Sequence, residues 1–361
     1  MTEKKSERKI IHVDFDAFFS AIEIRDNPDF QGRPIAVGGA VERRGVIATC
    51  SYEARRFGVR SAMASGYAKR LCPELLIIPP RFSVYKSVSA QAHDIFDEYS
   101  DQVEPLSLDE AYLDVSEATH CHGSATLIAK EMRSRISKEI GLTVSAGVAP
   151  NKFLAKIASD WYKPNGLCVV GPDQVDDFVF RLPVTNIFGV GKVTANKLHR
   201  KGIKTCGDLR QYSLIELHRW LGSFGEKLWE LCRGIDERPV QSHRIRKSLS
   251  VERTYPDDLP DLKTVLGQLN DLYEELHMRY QRLASQYIVT KRFVKIKFDD
   301  FTQTTLEESI GSGNSKPVEH FNILLNRAWD RGQRSVRLLG LGFRLNGRYD
   351  DASLLQMTLF D

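Results

Sequence analysis

HVDFDAFF, at residues 12–19, is the stretch that decides the fold of this chain. It begins inside a predicted strand from Ile10 to Phe15, because apolar and polar side chains alternate there with the period of two that strands show. The same alternation places Asp14 and Asp16 on one face of the strand. We therefore expect a short buried strand that presents carboxylates near the N-terminus.

A second acidic stretch, PLSLDEAY at residues 105–112, lies in a predicted strand pair from Leu106 to Val115. Carboxylates that crowd on one face of a sheet repel one another, so they are either protonated or bound to a cation. Asp14, Asp109 and Glu110 together therefore predict a divalent-metal site. Two ions about 3.5 to 4 Å apart in such a site would clamp the attacking and leaving oxygens of a phosphoryl transfer.

The order of elements around these strands predicts a known sheet topology. A helix is expected from Ser83 to Tyr99, another from Ser124 to Ile140, and a strand from Thr143 to Val148. With the first strand and the strand pair, the order is β-α-β-β-α-β, which is typical of a split βαβ, ferredoxin-like sheet. We expect the helices on one face and the carboxylates exposed on neighbouring central strands.

The rest of the chain divides by composition. Residues 27–80 are punctuated by Pro and Gly and resemble an insertion with a strand at Pro34–Val37, and residues 171–238 show short helices with glycine joints. A polar linker follows at 238–247. Beyond it, apolar residues alternate with Lys295 and Lys297, which predicts a strand with one basic face. Helices at 262–283 and 318–331 and a strand at 336–345 complete a further α/β unit.

Bulk composition excludes several classes of protein. With 361 residues, 42% hydrophobic and 27% charged, the chain has the composition of a globular protein of about two to four domains. No apolar run is long enough for a membrane span, and the polar N-terminus has no secretory signal, so we expect a cytoplasmic location. The six cysteines show no C-x-x-C spacing and are expected to be reduced and mostly buried. Residues 241–348 hold 18 lysines and arginines against 13 acidic residues, which suggests an anionic partner for this region.

The two acidic segments closely resemble the catalytic signatures of Y-family DNA polymerases, as do Tyr52–Ala62, Ser145–Gly166 and Arg246–Thr254. The resemblance implies an α+β multidomain, right-hand polymerase with a ferredoxin-like palm, small fingers, a helical thumb containing a helix-hairpin-helix, and an α/β little-finger domain. The domains would be the palm at 8–17 and 81–170, the fingers at 18–80, the thumb at 171–238, a linker at 239–247, the little finger at 248–347 and a tail at 348–361.

The resemblance also implies roles for individual residues of the catalytic centre. Asp14, Asp109 and Glu110 would hold two Mg²⁺ ions, with the carbonyl group of Phe15 completing one coordination shell; Asp16 is not a ligand in the family. Phe19 would be the steric gate that excludes a ribose 2′-hydroxyl and so selects dNTPs. The remaining side chains predicted to bind the nucleotide are Phe18, Thr49, Tyr52, Arg55 and Lys163.

Three further segments are expected to contact macromolecules. The hairpin with Gly189, Gly191 and Lys192 resembles a helix-hairpin-helix, whose backbone N–H groups would approach a phosphate of primer–template DNA. The basic strands would lie along other DNA phosphates and give sequence-independent binding; their predicted contacts are Arg246, Lys247, Lys295 and Lys297. The tail resembles a peptide that docks on the bacterial sliding clamp, through Gln356, Leu359 and Phe360.

The function implied is template-directed DNA synthesis, in which dNTPs are added to a primer 3′-hydroxyl. The enzyme would be a monomer that copies DNA at low fidelity and without proofreading, continues past lesions, and is recruited by the sliding clamp. Two alternatives remain open at this point. Nucleotide cyclases also place paired metal-binding carboxylates on a ferredoxin-like sheet, but they need no DNA. A non-catalytic DNA-binding scaffold would be expected to have lost metal ligands, whereas all three carboxylates are present here.

Overall fold

The computed structural model describes residues 8–243, 245–310 and 317–348. The chain forms two compact units. The larger one contains the described residues up to Gly38 together with Ile47–Met63 and Tyr67–His243, and the smaller one contains Gly39–Val46, Ala64–Gly66 and the described residues from 245 onwards. Within the described residues, no helix has the length and apolar character that a membrane span requires.

The structure contains strands and helices throughout both units. The strands are β1 (Ile10–Phe15), β2 (Ile35–Gly38), β3 (Ile47–Cys50), β4 (Leu76–Ile78), β5 (Val103–Pro105), β6 (Glu110–Asp114), β7 (Val144–Ala149), β8 (Leu167–Val169), β9 (Ser248–Leu259), β10 (Tyr287–Phe298), β11 (Gln303–Ser309) and β12 (Val336–Gly347). The helices are α1 (Phe18–Asp26), α2 (Tyr52–Arg56), α3 (Ser65–Leu71), α4 (Phe82–Asp97), α5 (Ala125–Arg135), α6 (Lys152–Trp161), α7 (Val175–Phe180), α8 (Lys192–His199), α9 (Cys206–Leu209), α10 (Leu214–Leu221), α11 (Ser223–Leu231), α12 (Leu262–Gly267), α13 (Leu269–Gln281) and α14 (Pro317–Trp329).

The central sheet of the larger unit has the order β5-β6-β1-β7-β8. β1 pairs antiparallel with β6 and with β7, so that Asp14 lies opposite Glu110 on one side and opposite Ser145 on the other. Residues directly opposite in an antiparallel pair point to the same face. One face of the sheet, which includes Val13 and Leu113, packs on α4 and α5 in a continuous apolar core. The other face carries the carboxylates.

The predicted β-α-β-β-α-β order is correct for this sheet, but the expectation that helices cover one face only is wrong. Helix α6 packs on the carboxylate face, where it contacts β7 and β1. Gly147 makes this close approach possible, because a Cβ there would overlap the carbonyl oxygen of Ala155 and the amide nitrogen of Ser159. Neither α6 nor the parallel edge strand β8 is part of the predicted order.

Gly147→Ala is expected to push α6 away from the sheet and to destabilise the larger unit by about 1 to 3 kcal/mol, as overpacking of a well-filled interior does. Urea unfolding measures this as a lower midpoint. The matched control is Gly267→Ala at the end of α12, where, apart from its chain neighbours and the backbone of its own helix, no heavy atom of the described residues lies within 4 Å of the added Cβ. A Gly147→Ala midpoint no lower than that of the control would show that α6 is not packed as closely as described.

Two smaller substructures complete the larger unit. A three-stranded sheet of order β3-β2-β4 encloses its own small core, which includes Ile47 and Leu75. Helices α7 to α11 share an apolar cluster with α6, in which Leu154 and Leu228 are fully buried. The prediction of short helices in 171–238 is confirmed. The prediction of reduced, mostly buried cysteines is confirmed: all six are free, five of them are buried, and Cys121 is half-buried.

The smaller unit is built on a four-stranded antiparallel sheet of order β11-β10-β12-β9. Its inner face packs on α12, α13 and α14, with Val294, Ile296 and Phe298 of β10 in the core. The predicted α/β unit is therefore confirmed. Strands β9 and β11 were not predicted: β11 contains a single leucine, whereas the alternation of Leu249, Val251 and Tyr255 is a signal that could have revealed β9.

Candidate active site

Three carboxylates lie at one end of the central strand pair. Asp14 is the second-last residue of β1, and Glu110 begins β6 directly opposite it. Asp109 precedes β6, where its carbonyl oxygen accepts a hydrogen bond from the amide of Phe15 at 2.9 Å and its side chain accepts one from Ser107 Oγ. The backbone pairing of β1 with β6 thus brings together residues that are far apart in the sequence.

Asp14 is a half-buried carboxylate with one cationic partner. Lys163 Nζ lies 2.7 Å from Asp14 Oδ1 and 3.1 Å from Asp160 Oδ1. Burial raises the pKa of Asp14 to about 7, against the lowering effect of Lys163 and with help from the negative charges of Glu110 and Asp109. A carboxylate that is this costly to ionise is stabilised by additional positive charge. The ionised form of Asp14 is therefore stabilised by Lys163, and a further cation beside it would stabilise it more.

Glu110 is held by two groups that were not predicted as site residues. Its Oε2 lies 3.1 Å from Nε2 of the fully buried His12, and it forms an ion pair with Lys156 of α6. Burial alone would raise the pKa of Glu110, but the hydrogen bonds from His12 and Lys156 outweigh it and lower that pKa to about 2. Burial lowers the pKa of His12 to about 4, so its ring is neutral.

The buried His12 ring is fixed from its other side by α6. Its Nδ1 lies 2.7 Å from Oγ of Ser159, and this oxygen is also 2.7 Å from the carbonyl oxygen of Lys156. Among the described residues, His12, Asp14 and Glu110 form a group whose potential metal-ligating atoms lie within 4.8 Å of one another. Since the His12 ring is fully covered and faces Glu110, we interpret it as a side chain that orients this carboxylate.

Asp16 does not share the outward face with Asp14, contrary to the prediction. Strand β1 ends at Phe15, and Asp16 is almost fully buried. One of its oxygens accepts a hydrogen bond from Ser145 Oγ at 2.8 Å, and the other accepts one from the amide of Asn165 at 2.7 Å. Asp16 therefore anchors the loop that carries Lys163.

A cleft of about 390 Å³ opens beside Asp14 and Asp109. All of the side chains predicted to bind a nucleotide lie in its wall. The lining residues are Asp14, Phe15, Ala17, Phe18, Phe19, Ala48, Thr49, Tyr52, Arg55, Ser61, Asp109 and Lys163. Glu110 and Lys156 are not among them. The cleft thus combines hydroxyl groups and two cations with two of the three carboxylates, a composition suited to an anionic ligand.

Arg55 and the two phenylalanines differ in how they are held. The Arg55 guanidinium lies 4.8 Å from the centre of the Tyr52 ring, and its buried Nε has no hydrogen-bond partner among the residues that the structure describes. The ring of Phe19 is half-exposed and stacks on Tyr85 at 4.2 Å. Phe18, in contrast, is only 2% exposed and packs in the core. That Phe18 stacks on a nucleotide stays a prediction.

The predicted helix-hairpin-helix has the expected local geometry. The backbone of Gly189 is left-handed (φ +97°), and Gly191 caps the N-terminus of α8, which begins at Lys192. Val193 and Phe188 beside the hairpin are more than two-thirds exposed. The amides at the start of α8 are thus open to a ligand, and DNA contact through them stays a prediction.

The basic face predicted for β10 is mixed in charge. Lys295 pairs with Glu252 of β9 at 2.9 Å, and Lys297 lies over the ring of Phe301. Arg246 and Lys247 are exposed just before β9. Their contacts with DNA stay predictions. The predicted clamp-binding residues Gln356, Leu359 and Phe360 lie outside the described residues.

Asp14→Asn is expected to raise the stability of the protein at pH 8 by an amount on the order of 2 kcal/mol, and to change it little at pH 5. The pKa of Asp14 is raised in the fold from its usual value of 3.8 to about 7, so stability falls as pH rises through this window and the buried group ionises. Asparagine remains neutral and avoids this cost. Urea unfolding at both pH values measures the difference, and a variant that is less stable than wild type at pH 8 would contradict it.

Family comparisons agree with this arrangement. The impB/mucB/samB family matches residues 13–160, and the C-terminal domain of the same family matches residues 246–356. Residues 185–236 match the family described as the thumb domain of DNA polymerase iota. The three matches together cover the carboxylates, the hairpin and the four-stranded sheet.

Individual proteins show the same relationship over almost the whole chain. DNA polymerase IV of Ectopseudomonas mendocina (strain ymp) is 58% identical over 351 residues, which are 96% of this chain and 99% of that protein. The solved Y-family DNA polymerase chimera Dbh-Dpo4(243-245)-Dbh is 30% identical, with a TM-score of 0.85, and covers 93% of this chain and 98% of its own. The insertion ternary complex of Dbh DNA polymerase is 29% identical, with a TM-score of 0.63 over the same shares.

These relationships exclude the cyclase and scaffold alternatives, since they extend over the palm, the thumb and the C-terminal region alike. They also confirm the right-hand polymerase architecture. The chain belongs to the Y family of translesion DNA polymerases, in the group whose curated members are named DNA polymerase IV, and it is a DNA-directed DNA polymerase.

Proposed function

We propose that the chain extends a DNA primer by two-metal-ion phosphoryl transfer at Asp14, Asp109 and Glu110, at low fidelity and without proofreading. The observation that carries the proposal is that Asp14 and Asp109 lie in the wall of a cleft whose other polar groups are cations and hydroxyls. In a metal-bound triphosphate, the carboxylates at one end of such a cleft would bind the metal ions, and the cations in its walls would bind the phosphate oxygens.

The residues present fit divalent cations. Asp14 and Glu110 each already hold an ammonium group, from Lys163 and Lys156. The raised pKa of Asp14 shows that one ammonium does not fully offset its burial. Hard oxygen ligands of this kind suit Mg²⁺. Bound there, the ions would lower the charge on the triphosphate and favour the ionised primer hydroxyl.

The other side chains of the cleft position the nucleotide. Arg55 can give two hydrogen bonds to phosphate oxygens, and its Nε has no hydrogen-bond partner within the described part of the chain. Lys163 and the hydroxyls of Thr49 and Tyr52 supply further donors. The Phe19 ring, flat against Tyr85, forms a wall that a 2′-hydroxyl would strike. In this proposal the protein itself supplies no nucleophile.

The proposal includes two macromolecular contacts. The hairpin at Gly189–Gly191, the exposed Arg246 and Lys247 before β9, and the half-buried Lys295 and Lys297 of β10 would hold primer–template DNA through its phosphates, with binding that weakens as salt rises. The solved Dbh ternary complex supports a DNA-bound state for this fold. The segment from Gln356 to Phe360 would recruit the enzyme to the sliding clamp, a proposal that rests on its sequence.

Primer extension tests the proposed reaction. Full-length protein, a labelled primer on a DNA template, the four dNTPs and Mg²⁺ should give extension that stops with a chelator and resumes when Mg²⁺ is restored. Each single dNTP should be added opposite its complementary template base more efficiently than the others. A folded protein that gives no extension, or that adds nucleotides without regard to the template, would contradict the proposal.

A further inference from the structure

The carboxylate site has two sides with different surroundings. On one side is the cleft, with Arg55 and Lys163, that suits a triphosphate. On the other side Glu110 carries the ammonium of Lys156, outside the lining of the cleft. Lys156 Nζ is also 5.7 Å from the centre of the Phe188 ring, which is 70% exposed beside the hairpin. An aromatic face and an amine thus border the approach to Glu110.

The primer strand has to arrive on this second side. Its 3′-hydroxyl must meet the triphosphate at the carboxylates, and the triphosphate fills the first side. The last phosphate of the primer would then pass over α6, between Glu110 and the hairpin that is expected to bind DNA. Lys156 is the cation on that path, and the Phe188 ring offers an apolar surface to a deoxyribose.

We propose that Lys156 binds the last phosphodiester of the primer strand, and that its transfer from Glu110 to this phosphate couples primer binding to metal binding. The inference rests on the proposed two-metal reaction. It assigns to Lys156 a binding role in the exchange of one counter-ion for another: Glu110 holds the ammonium until a divalent ion takes its place, and the released ammonium pairs with the primer.

The exchange follows from simple electrostatics. An ammonium and a divalent cation cannot both lie against Glu110 Oε2, because two positive charges at contact distance repel strongly in a half-buried site. A metal ion bound to that oxygen would therefore displace Lys156, and the unpaired ammonium would oppose this. A phosphate placed beside α6 gives the ammonium a new partner and removes the opposition. By linkage, primer binding then strengthens metal binding, and the metal strengthens primer binding by the same factor.

The direction in which metal affinity changes when Lys156 is removed distinguishes the proposed role from a purely structural one. Lys156→Gln removes the competing cation, so the variant should bind metal more tightly than wild type when DNA is absent. It should also lose most of the strengthening that DNA brings. Loss of a residue that only supports the fold would weaken metal binding instead. Lys156→Arg retains the charge and should retain the coupling.

Mn²⁺ is a suitable probe, because the free ion can be counted by electron paramagnetic resonance. Full-length protein is titrated with Mn²⁺ alone and with primer–template whose primer ends in a dideoxynucleotide, with the DNA alone titrated in parallel. For wild type, DNA should tighten Mn²⁺ binding about tenfold, a typical strength for coupled sites. For Lys156→Gln, binding without DNA should be several-fold tighter and the effect of DNA should fall below about twofold.

The control variant is Lys192→Gln at the start of α8. It removes an exposed cation of the hairpin, so it should weaken DNA binding and leave the Mn²⁺ affinity without DNA unchanged. Lys156→Gln protein that binds Mn²⁺ as wild type does, or more weakly, would overturn the inference, as would an undiminished effect of DNA. The Asp14→Asn variant separates the two proposals. If wild type binds no Mn²⁺ that Asp14→Asn fails to bind, the proposed metal site is wrong. If Asp14→Asn does abolish a Mn²⁺ site but Lys156→Gln changes neither the Mn²⁺ affinity nor the effect of DNA, only the proposed coupling is wrong.

Discussion

Asp109→Ala/Glu110→Ala protein should extend a primer at least about 10³-fold more slowly than wild type, since two of the three carboxylates proposed to hold the metal ions are removed. Asp14 alone would be left with its ion pair to Lys163, one carboxylate against one ammonium. No other described acidic side chain lies in the wall of the cleft to replace the missing ligands. Single-turnover primer extension with saturating DNA and dNTP measures the loss.

The matched control is Asp114→Ala, at the opposite end of the same strand. Asp114 accepts hydrogen bonds from Ser116 and lies 3.9 Å from Arg8, so it belongs to the strand but not to the cleft. Its replacement should leave the extension rate within about threefold of wild type, as for a surface carboxylate with weak partners. Binding of primer–template by the double variant should persist. Substantial extension by the double variant would remove Asp109 and Glu110 from the catalytic centre.

Phe19→Val should let the enzyme incorporate ribonucleotides, lowering its preference for dNTPs over NTPs by about 100-fold. The reason is steric: Phe19 lies flat on Tyr85, with ring centres 4.2 Å apart, and Phe82 supports it edge-on at 6.0 Å. A rigid ring can reject an added hydroxyl by collision, whereas a smaller side chain leaves room for it. The ratio of kcat/KM for dCTP and CTP opposite a template guanine measures the change.

Phe82→Val is the control for Phe19, since it removes an aromatic neighbour that is 53% exposed and does not line the cleft. Its sugar preference should stay within a few-fold of wild type. Circular dichroism and the urea midpoint establish that both variants are folded, because Phe19→Val also loses a ring stack worth about 1 kcal/mol. A Phe19→Val enzyme with the sugar preference of wild type would show that another group excludes the 2′-hydroxyl.

Strands could be predicted from the sequence where apolar and polar residues alternate clearly along the chain. Ile11, Val13 and Phe15 alternate with polar residues over a strand that has one core face, and the predicted bounds of β1 are those observed. The strand Val294–Phe298 was predictable for the same reason. Strand β11 alternates exposed and half-buried residues with a single leucine, so its hydrophobic pattern is too weak to predict it.

The network around Glu110 could not be predicted, because it depends on contacts between distant segments. His12 reaches Glu110 across the pairing of β1 with β6, and Lys156 reaches it only when α6 crosses the sheet at Gly147. The sequence of α6 does place apolar residues at helical spacing, and this signal could have revealed the helix. Nothing local indicates which face of the sheet it covers. The side chain of Asp16 was placed on the wrong face for a related reason. Strand β1 ends at Phe15, directly before Asp16, so the alternation of faces does not extend to Asp16, and Ser145 holds its side chain inside.

Anomalous diffraction from Mn²⁺ would test the central claim most directly, in crystals of the protein with primer–template and a non-hydrolysable dNTP. The proposed reaction predicts two Mn²⁺ peaks about 3.5 to 4 Å apart, both in contact with carboxylate oxygens of Asp14, Asp109 and Glu110. Lys156 should then lie away from Glu110 and beside the last primer phosphate. Peaks that avoid these carboxylates, or none in a complex with ordered nucleotide, would contradict the assignment of the active site.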